Sequence, residues 1–253
     1  MIGELPPAPT GTVPFGYRDV APDEKPRLVR GIFDSVAARY DLMNDLMSGG
    51  LHRLWKRELV DWLAPRPGQR LLDLAGGTGD VALRAAKRPH GPIVVCDLTP
   101  AMLTIGRNKA IDRGLIDGIV WIAGNAESLP FANASFDACT IAFGLRNVAR
   151  IDLALAEIRR VLRPGGHFLC LEFSKVVVPG LRALYDRYSF DVLPALGGMV
   201  AGDEDSYRYL AESIRRFPDQ ERLAGIIAGS GLGQVTHRNL SGGVAAIHSA
   251  WRL

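Results

Sequence analysis

The chain has 253 residues, of which 47% are hydrophobic and 23% are charged. These proportions are typical of a globular protein with a substantial core, and they exclude wholesale disorder. The formal net charge of +3 is small for this length, and neither an RNA-binding signature nor a basic repeat accompanies it. We therefore expect no nucleic-acid partner.

Cysteine and histidine usage predicts neither a disulfide framework nor a metal site. Cys96, Cys139 and Cys170 each lie in a short apolar run and are interpreted as small buried residues. The five histidines are scattered without metal-ligand spacing. The N-terminus lacks a secretory signal, and no apolar stretch approaches the ~20 residues of a membrane-spanning helix, so we expect a cytoplasmic protein.

The chain divides at residue 27 by composition. Residues 1–27 are rich in proline and poor in large apolar groups, which predicts a flexible tail, and residues 28–253 are predicted to form one domain. Helical patterning begins directly after the tail. One predicted helix has an apolar face made of Leu51, Leu54, Trp55, Leu59, Trp62 and Leu63.

From residue 70 onward, short buried strands alternate with helices. The predicted strands are RLLDLA, PIVVCDL, GIVWIAG, SFDACTIAF and HFLCLEF. This alternation predicts an α/β fold with a mostly parallel sheet and helices on both faces. Two further strands, GQVTHRNL and GVAAIHSAWRL, are separated only by Ser241 and Gly242, and so short a link requires an antiparallel hairpin. The outline resembles the Rossmann-like sheet of class I methyltransferases.

Residues 176–218 interrupt this alternation and carry many aromatic side chains. We interpret them as a mostly helical cover over the carboxyl ends of the strands. Ligands bind at those ends in open α/β sheets, so the cover is predicted to close an acceptor site.

A glycine-rich sequence, DLAGGTGD, follows the first predicted strand and precedes a helix. Gly76, Gly77 and Gly79 permit a sharp turn and a close approach of the backbone to a ligand. Their spacing differs from the G-x-G-x-x-G of dinucleotide folds. Asp80 also suits a cationic ligand better than a pyrophosphate.

Asp97 ends the second predicted strand, and its carboxylate can accept both hydroxyls of a ribose. NAD and S-adenosylmethionine both carry that diol, so Asp97 alone does not choose between them. Asn125 and Ala126 follow the third strand, where methyltransferases commonly hold the adenine edge. Each of these features, taken alone, also has a structural explanation: the glycine-rich turn as a tight turn, and the aspartate at the strand end as a helix cap. Together and in this order they favour a cofactor site.

Several stretches are similar to those of one family, the ubiquinone/menaquinone biosynthesis C-methyltransferases. They are VAARYDLMNDLMSGGLHRLWKR, LLDLAGGTGD, FGLRNV, LRPGGHFLCLEFSK, YSFDVLP and DSYRYLAESIRRFPDQ. FGLRNV and DSYRYLAESI are more specific than the glycine loop, which many methyltransferases share. The resemblance implies methyl transfer from S-adenosylmethionine to a ring carbon of a polyprenylated quinol, which is a methoxy-polyprenyl-benzoquinol, demethylmenaquinol or both.

The resemblance also implies a set of cofactor contacts. By matching position, Thr78, Asp97, Asn125 and Ala126 are expected to contact S-adenosylmethionine. Family members commonly have serine where this chain has Ala142, so only the backbone is expected to contribute there. The complete predicted set is Asp73, Gly76, Gly77, Thr78, Gly79, Asp97, Asn125, Ala126 and Ala142.

FGLRNV follows the fourth predicted strand, at the mouth of the crevice. Our hypothesis is that Arg146 stabilises a quinolate oxygen and that Asn147 orients the ring or a water. In the alternative, Arg146 forms a structural ion pair and Asn147 caps a helix. Glu172 and Tyr207 are weaker catalytic candidates, and no general base is predicted.

A membrane-resident substrate implies a further contact. Residues 36–57 mix apolar and basic side chains; they pack on their own domain by default, and they can also rest on anionic headgroups of the inner membrane. A homodimer or a quinone-synthesis complex is a further expected assembly.

Three competing functions stay open. The first is methyl transfer to another lipid or phenolic acceptor. The second is an oxidoreductase on a dinucleotide fold, which the glycine spacing, Asp80 and the terminal strand pair disfavour. The third is a non-catalytic scaffold subunit, which Ala142 keeps open.

Overall fold

The computed structural model describes residues 11–115, 117–180 and 204–253. The helices in this part of the chain are α1 (Lys25–Val36), α2 (Tyr40–Ser48), α3 (His52–Leu63), α4 (Asp80–Ala85), α5 (Pro100–Asp112), α6 (Ile151–Val161), α7 (Glu204–Arg216) and α8 (Gln220–Gly229). The strands are β1 (Val13–Phe15), β2 (Arg18–Val20), β3 (Leu71–Leu74), β4 (Ile93–Asp97), β5 (Ile119–Ala123), β6 (Phe136–Ala142), β7 (Leu162–Phe173), β8 (Gly233–Leu240) and β9 (Ala245–Trp251).

The folded part of the chain starts earlier than the predicted boundary at residue 27. Strands β1 and β2 form an antiparallel hairpin, and the Phe15 ring is buried with its centroid 4.3 Å from that of Tyr209. The predicted flexible tail rested on its proline content, but some positions in strands and helices tolerate proline. Pro14 lies in a short two-stranded hairpin and Pro26 in the first turn of α1, two positions that tolerate it. Residues 1–10 lie outside the described residues.

The main sheet has seven strands in the order β5-β4-β3-β6-β7-β9-β8. Strands β3 to β7 pair in parallel, and β9 pairs antiparallel with both β7 and β8. This confirms the predicted class I methyltransferase sheet with its C-terminal hairpin. The strand order reverses beside β3, and ligands of open α/β sheets bind at the carboxyl ends of the strands at such a point.

Two hydrophobic clusters cover the two faces of the sheet. On β7, Phe168 and Cys170 belong to one cluster, while Leu169 and Leu171 belong to the other, as the alternation of strand side chains requires. Helices α6 and α8 pack on the first face, and α3, α4 and α5 pack on the second. A third cluster joins the N-terminal hairpin, α1, α2 and α7.

Helix α3 faces the core with a stripe that differs from the predicted one. Trp55, Leu59 and Leu63 are buried as predicted, but Leu51 and Leu54 are 39% and 57% exposed. The buried stripe instead includes two polar side chains, His52 and Lys56, which bond to Asp45 and Asp80, respectively. These two partners allow polar side chains on the buried face, which apolar periodicity alone does not predict.

The predicted cover over residues 176–218 is described only in part. Helix α7 belongs to that segment, and its Tyr209 and Leu210 pack on the N-terminal cluster. Residues 181–203, which include the YSFDVLP stretch, lie outside the described residues.

In the described ranges of the chain, no helix combines the length and the apolar character needed to cross a membrane.

Candidate active site

A cavity of about 690 Å³ lies at the carboxyl ends of β3, β4, β5 and β6. The loops after these four strands contribute the predicted residues Gly77, Asp97, Asn125, Ala126 and Asn147 to its lining. The structure therefore brings together, on one surface, side chains that are far apart in the sequence.

Helices α1 and α2 form a wall of the cavity that the sequence analysis missed. Their lining residues are Pro26, Val29, Phe33 and Tyr40. The spacing of Val29, Phe33 and Tyr40 is that of one helical face, which was a usable signal. However, the same periodicity is typical of any helix that packs on its own domain.

The loop between β3 and α4 has the sharp turn that its glycines predict. Gly77 and Gly79 adopt positive φ angles of 55° and 75°, and a Cβ atom on Gly76 would lie 2.7 Å from the Val95 side chain. Of the loop's predicted contacts, Gly77 lines the cavity. Gly76 and Gly79 pack against Val95 and Trp121 instead, and Thr78 is buried without lining the cavity.

Asp73 is buried behind the glycine loop and does not line the cavity. Its carboxylate accepts hydrogen bonds from the Thr140 hydroxyl at 3.0 Å and from the Ala82 N–H at 3.1 Å. Burial raises the pKa of Asp73 to about 7, although both bonds oppose that shift. These contacts give Asp73 a structural role, which is to hold the first turn of α4.

The Asp97 carboxylate bonds to the glycine loop and also lines the cavity. One carboxylate oxygen accepts a 2.8 Å hydrogen bond from the Gly77 N–H, and the other accepts a 2.8 Å bond from the Thr99 N–H. Burial raises the pKa of this carboxyl, and the backbone donors oppose the rise. The Thr99 hydroxyl and the Leu98 N–H also bond to this carboxylate, which lines the cavity and can accept there from the hydroxyl groups of a ligand.

Glu127 joins the loops after β5 and β6, a role that the sequence analysis did not assign. Its side chain is only 4% exposed, and Oε1 accepts from the Ala149 N–H at 3.1 Å. The other oxygen pairs with the Arg150 Nε at 2.7 Å. The N–H of Glu127 in turn donates to the Asn125 side chain at 3.0 Å, which fixes the predicted adenine loop.

Arg146 and Asn147, the two predicted catalytic residues, face different cavities. Asn147 lines the main cavity, and its Oδ1 accepts a 3.0 Å hydrogen bond from the Tyr209 hydroxyl. Arg146 instead lines a second cavity, which Lys25 and Arg216 also line. Its guanidinium pairs with the Glu172 carboxylate at 2.7 Å and donates to the Phe143 carbonyl. These contacts agree with the structural alternative for Arg146.

The remaining predictions fall beside the cavity. Ala142 does not line it, whereas the next two residues, Phe143 and Gly144, do. Glu172 is buried in its ion pair with Arg146. The side chain of Tyr207 is outside what the structure describes.

The cavity has a negative lining. Asp97 contributes a carboxylate that forms no ion pair in the described ranges, whereas the Glu127 carboxylate is paired with Arg150; among the described lining residues there is no lysine, arginine or histidine. Such a lining attracts a cation and repels a pyrophosphate. A sulfonium cofactor with a ribose diol therefore fits the donors and acceptors present.

Together, the sheet order and the negative cavity beside β3 define the class I S-adenosylmethionine-dependent methyltransferases. Solved structures share this fold. A S-adenosylmethionine-dependent methyltransferase from Thermotoga maritima, titled a possible histamine N-methyltransferase, superposes with a TM-score of 0.64 at 18% identity over 89% of this chain and 100% of that chain. A putative methyltransferase from Haloferax volcanii, solved with its Trm112 activator, gives a TM-score of 0.63 at 16% identity over 87% and 97%.

Sequence comparison narrows the class to one family. The profile of the ubiE/COQ5 methyltransferase family matches residues 19–252. The ubiquinone/menaquinone biosynthesis C-methyltransferase UbiE of Paracoccus denitrificans is 58% identical over 94% of this chain and 96% of its own length. The protein of that name from Acidiphilium cryptum is 55% identical over 96% and 97%. This chain belongs to the ubiE/COQ5 methyltransferase family and is a methyltransferase, which confirms the family resemblance and excludes the oxidoreductase.

Proposed function

We propose that this enzyme transfers the methyl group of S-adenosylmethionine to a ring carbon of a polyprenylated quinol in ubiquinone or menaquinone biosynthesis. The observation that carries the acceptor assignment is identity of up to 58%, over nearly the full length, to ubiquinone/menaquinone biosynthesis C-methyltransferases. The cavity that joins Asp97 to Asn147 supports the reaction class. The acceptor is a methoxy-polyprenyl-benzoquinol, demethylmenaquinol or both.

Residues of the main cavity would hold the cofactor. Asp97 would accept the ribose hydroxyls, and the Asn125–Ala126 backbone would bond the adenine edge. The carboxylate of Asp97 favours the sulfonium charge. The other predicted contacts support this site indirectly, because they shape the loops that carry it; these are Asp73, Gly76, Thr78, Gly79 and Ala142.

The reaction needs an electron-rich ring carbon close to the transferred methyl group. The cofactor would supply that methyl group in a form activated by the sulfonium charge. An aromatic carbon is a weak nucleophile unless an adjacent oxygen is deprotonated, so the site has to stabilise a quinolate. Asn147 is the residue of FGLRNV that reaches the cavity, and its Oδ1 already accepts from Tyr209. Its Nδ2 lies 3.5 Å from the Phe143 carbonyl, so one amide N–H bonds to the loop and the other would remain as a donor to the quinolate oxygen.

Arg146 would affect this reaction by holding the loop in place rather than by contacting the acceptor. Its Nη1 lies 2.6 Å from the Phe143 carbonyl, one turn before Asn147. We therefore assign it the part of a positioning residue.

An exposed surface on α2 and α3 suits a lipid-borne acceptor. This α2–α3 surface consists of the exposed residues Leu42, Leu51, Leu54, Arg53 and Arg57. Lys56 also belongs to the basic residues of the 36–57 segment, but it is buried against Asp80 and adds no charge to this surface. Exposed leucines between arginines are suited to anionic headgroups, so we infer a peripheral contact with the inner membrane through this surface.

The direct test incubates the purified enzyme with methyl-labelled S-adenosylmethionine and two reduced short-chain acceptors, a benzoquinol and a demethylnaphthoquinol. Label on a ring carbon is expected, and the relative rates identify the preferred acceptor. The matched control is Asp97→Asn, which should label only at raised cofactor concentration. Measurable cofactor binding without label on either acceptor would contradict the proposal.

A further inference from the structure

Lys25 is a buried cation whose side chain bonds to backbone. It is 3% exposed at the first position of α1. Its Nζ donates to the Val148 carbonyl at 2.9 Å and to the Arg146 carbonyl at 3.2 Å. These two carbonyls belong to the residues on either side of Asn147, so one ammonium group bridges the backbone around that side chain.

A buried ammonium is costly unless its hydrogen bonds are satisfied. Within the described ranges, Lys25 forms no ion pair with a carboxylate, and its two bonds to carbonyls are what offset the loss of water. The start of a helix does not need a lysine, because any residue with a helical backbone can occupy that position. The contact therefore stabilises the loop more than it stabilises α1.

The same contact joins two walls of the main cavity. Pro26 follows Lys25 directly and Val29 lies one turn later, and both line that cavity from α1. Asn147 lines it from the loop after β6. Lys25 itself lines the second cavity, on the other side of the loop, beside Arg146. Lys25 therefore holds α1 and the loop together from the side of the loop that faces away from the main cavity.

We propose that Lys25 is a positioning residue for methyl transfer, whose ammonium holds the backbone on both sides of Asn147 and ties it to α1. The Asn147 amide is thereby held in one orientation for the acceptor oxygen. This inference rests on the proposed function only where it names the acceptor contact, because the bridge between α1 and the loop is a property of the protein alone.

The charge of Lys25 is sensitive to pH near neutrality. Burial lowers its pKa to about 8, Glu127 raises it and Arg216 lowers it further. Arg146 also faces it, but the charge of Arg146 is paired with Glu172. The group is therefore charged below about pH 8. Above that value the neutral amine makes weaker bonds to carbonyls than the ammonium does.

The experiment compares Lys25→Met, Lys25→Arg and the matched control Arg252→Met. Arg252 also donates to two carbonyls, those of Arg160 and Leu162. Leu162 opens β7 beside the first residue of β6, at the end of the sheet opposite the cavity. Control and test thus remove the same kind of contact in different places.

Lys25→Met is expected to lower kcat on the order of 10-fold at neutral pH, because a charge-assisted contact is lost. The KM for S-adenosylmethionine should change little. The ratio of wild-type to Lys25→Met kcat should fall towards one as the pH rises through about 8. The acceptor's own titration cancels in this ratio. Lys25→Arg should recover part of kcat and keep a pH-independent ratio to Lys25→Met, because arginine stays charged. Arg252→Met should leave kcat unchanged.

Hydrogen exchange separates this inference from the proposed function, because it needs no acceptor. Backbone amides of residues 145–149 should exchange faster in Lys25→Met, and not in Arg252→Met. If Lys25→Met does not fold, Lys25→Gln, which also removes the ammonium group, takes its place in the same comparison. Unchanged exchange overturns the bridge even if no quinol is methylated. Faster exchange with wild-type kcat, or with a pH-independent ratio, overturns the positioning role.

Discussion

Arg146 and Glu172 form an ion pair inside the protein, with 2.7 Å between Nη1 and Oε1 and side chains that are 4% and 1% exposed. The Arg146 N–H also donates to the second carboxylate oxygen at 3.3 Å. Glu172 lies near the end of β7, so the pair connects that strand to the loop that carries Asn147. It is a structural contact beside the candidate site.

We expect Arg146→Met to destabilise the protein strongly. The substitution leaves the Glu172 carboxylate buried without its partner, and breaking a buried pair in this way costs about 3–5 kcal/mol. Urea denaturation gives the free energy of unfolding. The double variant Arg146→Met/Glu172→Met should regain part of the loss, because no uncompensated charge remains. The control is Arg30→Met on the exposed pair with Asp34, where we expect a change below about 1 kcal/mol. Wild-type stability of Arg146→Met would refute this account.

The contrast between Arg146 and Asn147 shows the limit of a motif. The FGLRNV resemblance pointed to a loop that does reach the cavity, through Asn147. However, the residues form a short 3-10 turn, in which consecutive side chains point about 120° apart. Adjacent polar residues therefore face different cavities. Which of them faces the acceptor depends on how α7 and β7 pack around the turn, which a local motif does not contain.

Asp97→Asn should weaken binding of S-adenosylmethionine. The substitution removes the charge that would accept the ribose hydroxyls, and a hydrogen bond to a charged group contributes about 1.5–3 kcal/mol, or about 10- to 150-fold in affinity. Calorimetric titration measures the dissociation constant. Asp112→Asn changes an exposed aspartate at the end of α5 and should leave the constant unchanged. Equal affinities of Asp97→Asn and the wild type would remove Asp97 from the site.

Tyr209→Phe should slow methyl transfer without weakening the binding of the cofactor. The phenol holds the Asn147 side chain by a 3.0 Å hydrogen bond, and a neutral bond of this kind contributes about 0.5–1.5 kcal/mol. We therefore expect kcat to fall by about 2- to 10-fold, with an unchanged dissociation constant for S-adenosylmethionine. In the Asn147→Ala background the same substitution should have little further effect. Additive losses in the double variant would show that the two residues act independently.

The sheet was largely predictable, and the N-terminal region was not. Strands such as Leu71–Leu74 are buried apolar runs that alternate with helices, and this pattern is sufficient to predict a parallel sheet. The α1 wall depends on contacts between distant segments, such as Lys25 with Val148 and Phe15 with Tyr209. No local pattern encodes those pairs. For the same reason Asp73, a strand-end carboxylate like Asp97, could not be recognised from sequence as buried behind the loop.

Asp73 should give the protein a characteristic dependence on pH. Burial raises its pKa from 3.8 to about 7, so between these values the native state binds more protons than the unfolded state. Stability therefore falls as the pH rises through this window and levels off above about 7, with a slope of at most about 1.4 kcal/mol per pH unit from this group. The stability difference between Asp73→Asn and the wild type, measured in urea, should shift in favour of the variant over the same window. The exposed Asp117→Asn should give a difference independent of pH. A flat difference for Asp73→Asn would contradict the raised pKa.

The α2–α3 surface should bind anionic lipid through its two arginines. Arg53 and Arg57 have side chains that are 59% and 72% exposed beside Leu54. Each basic residue near an anionic membrane contributes about 1 kcal/mol, so Arg53→Gln/Arg57→Gln should reduce binding to anionic vesicles by about 5- to 30-fold. Co-sedimentation with vesicles of anionic and of zwitterionic lipid measures this. Arg27→Gln/Arg30→Gln removes the same charge from exposed positions of α1 and should have a smaller effect. If both double variants lost binding equally, net charge rather than this surface would account for the attraction, and the membrane contact would have to be placed elsewhere.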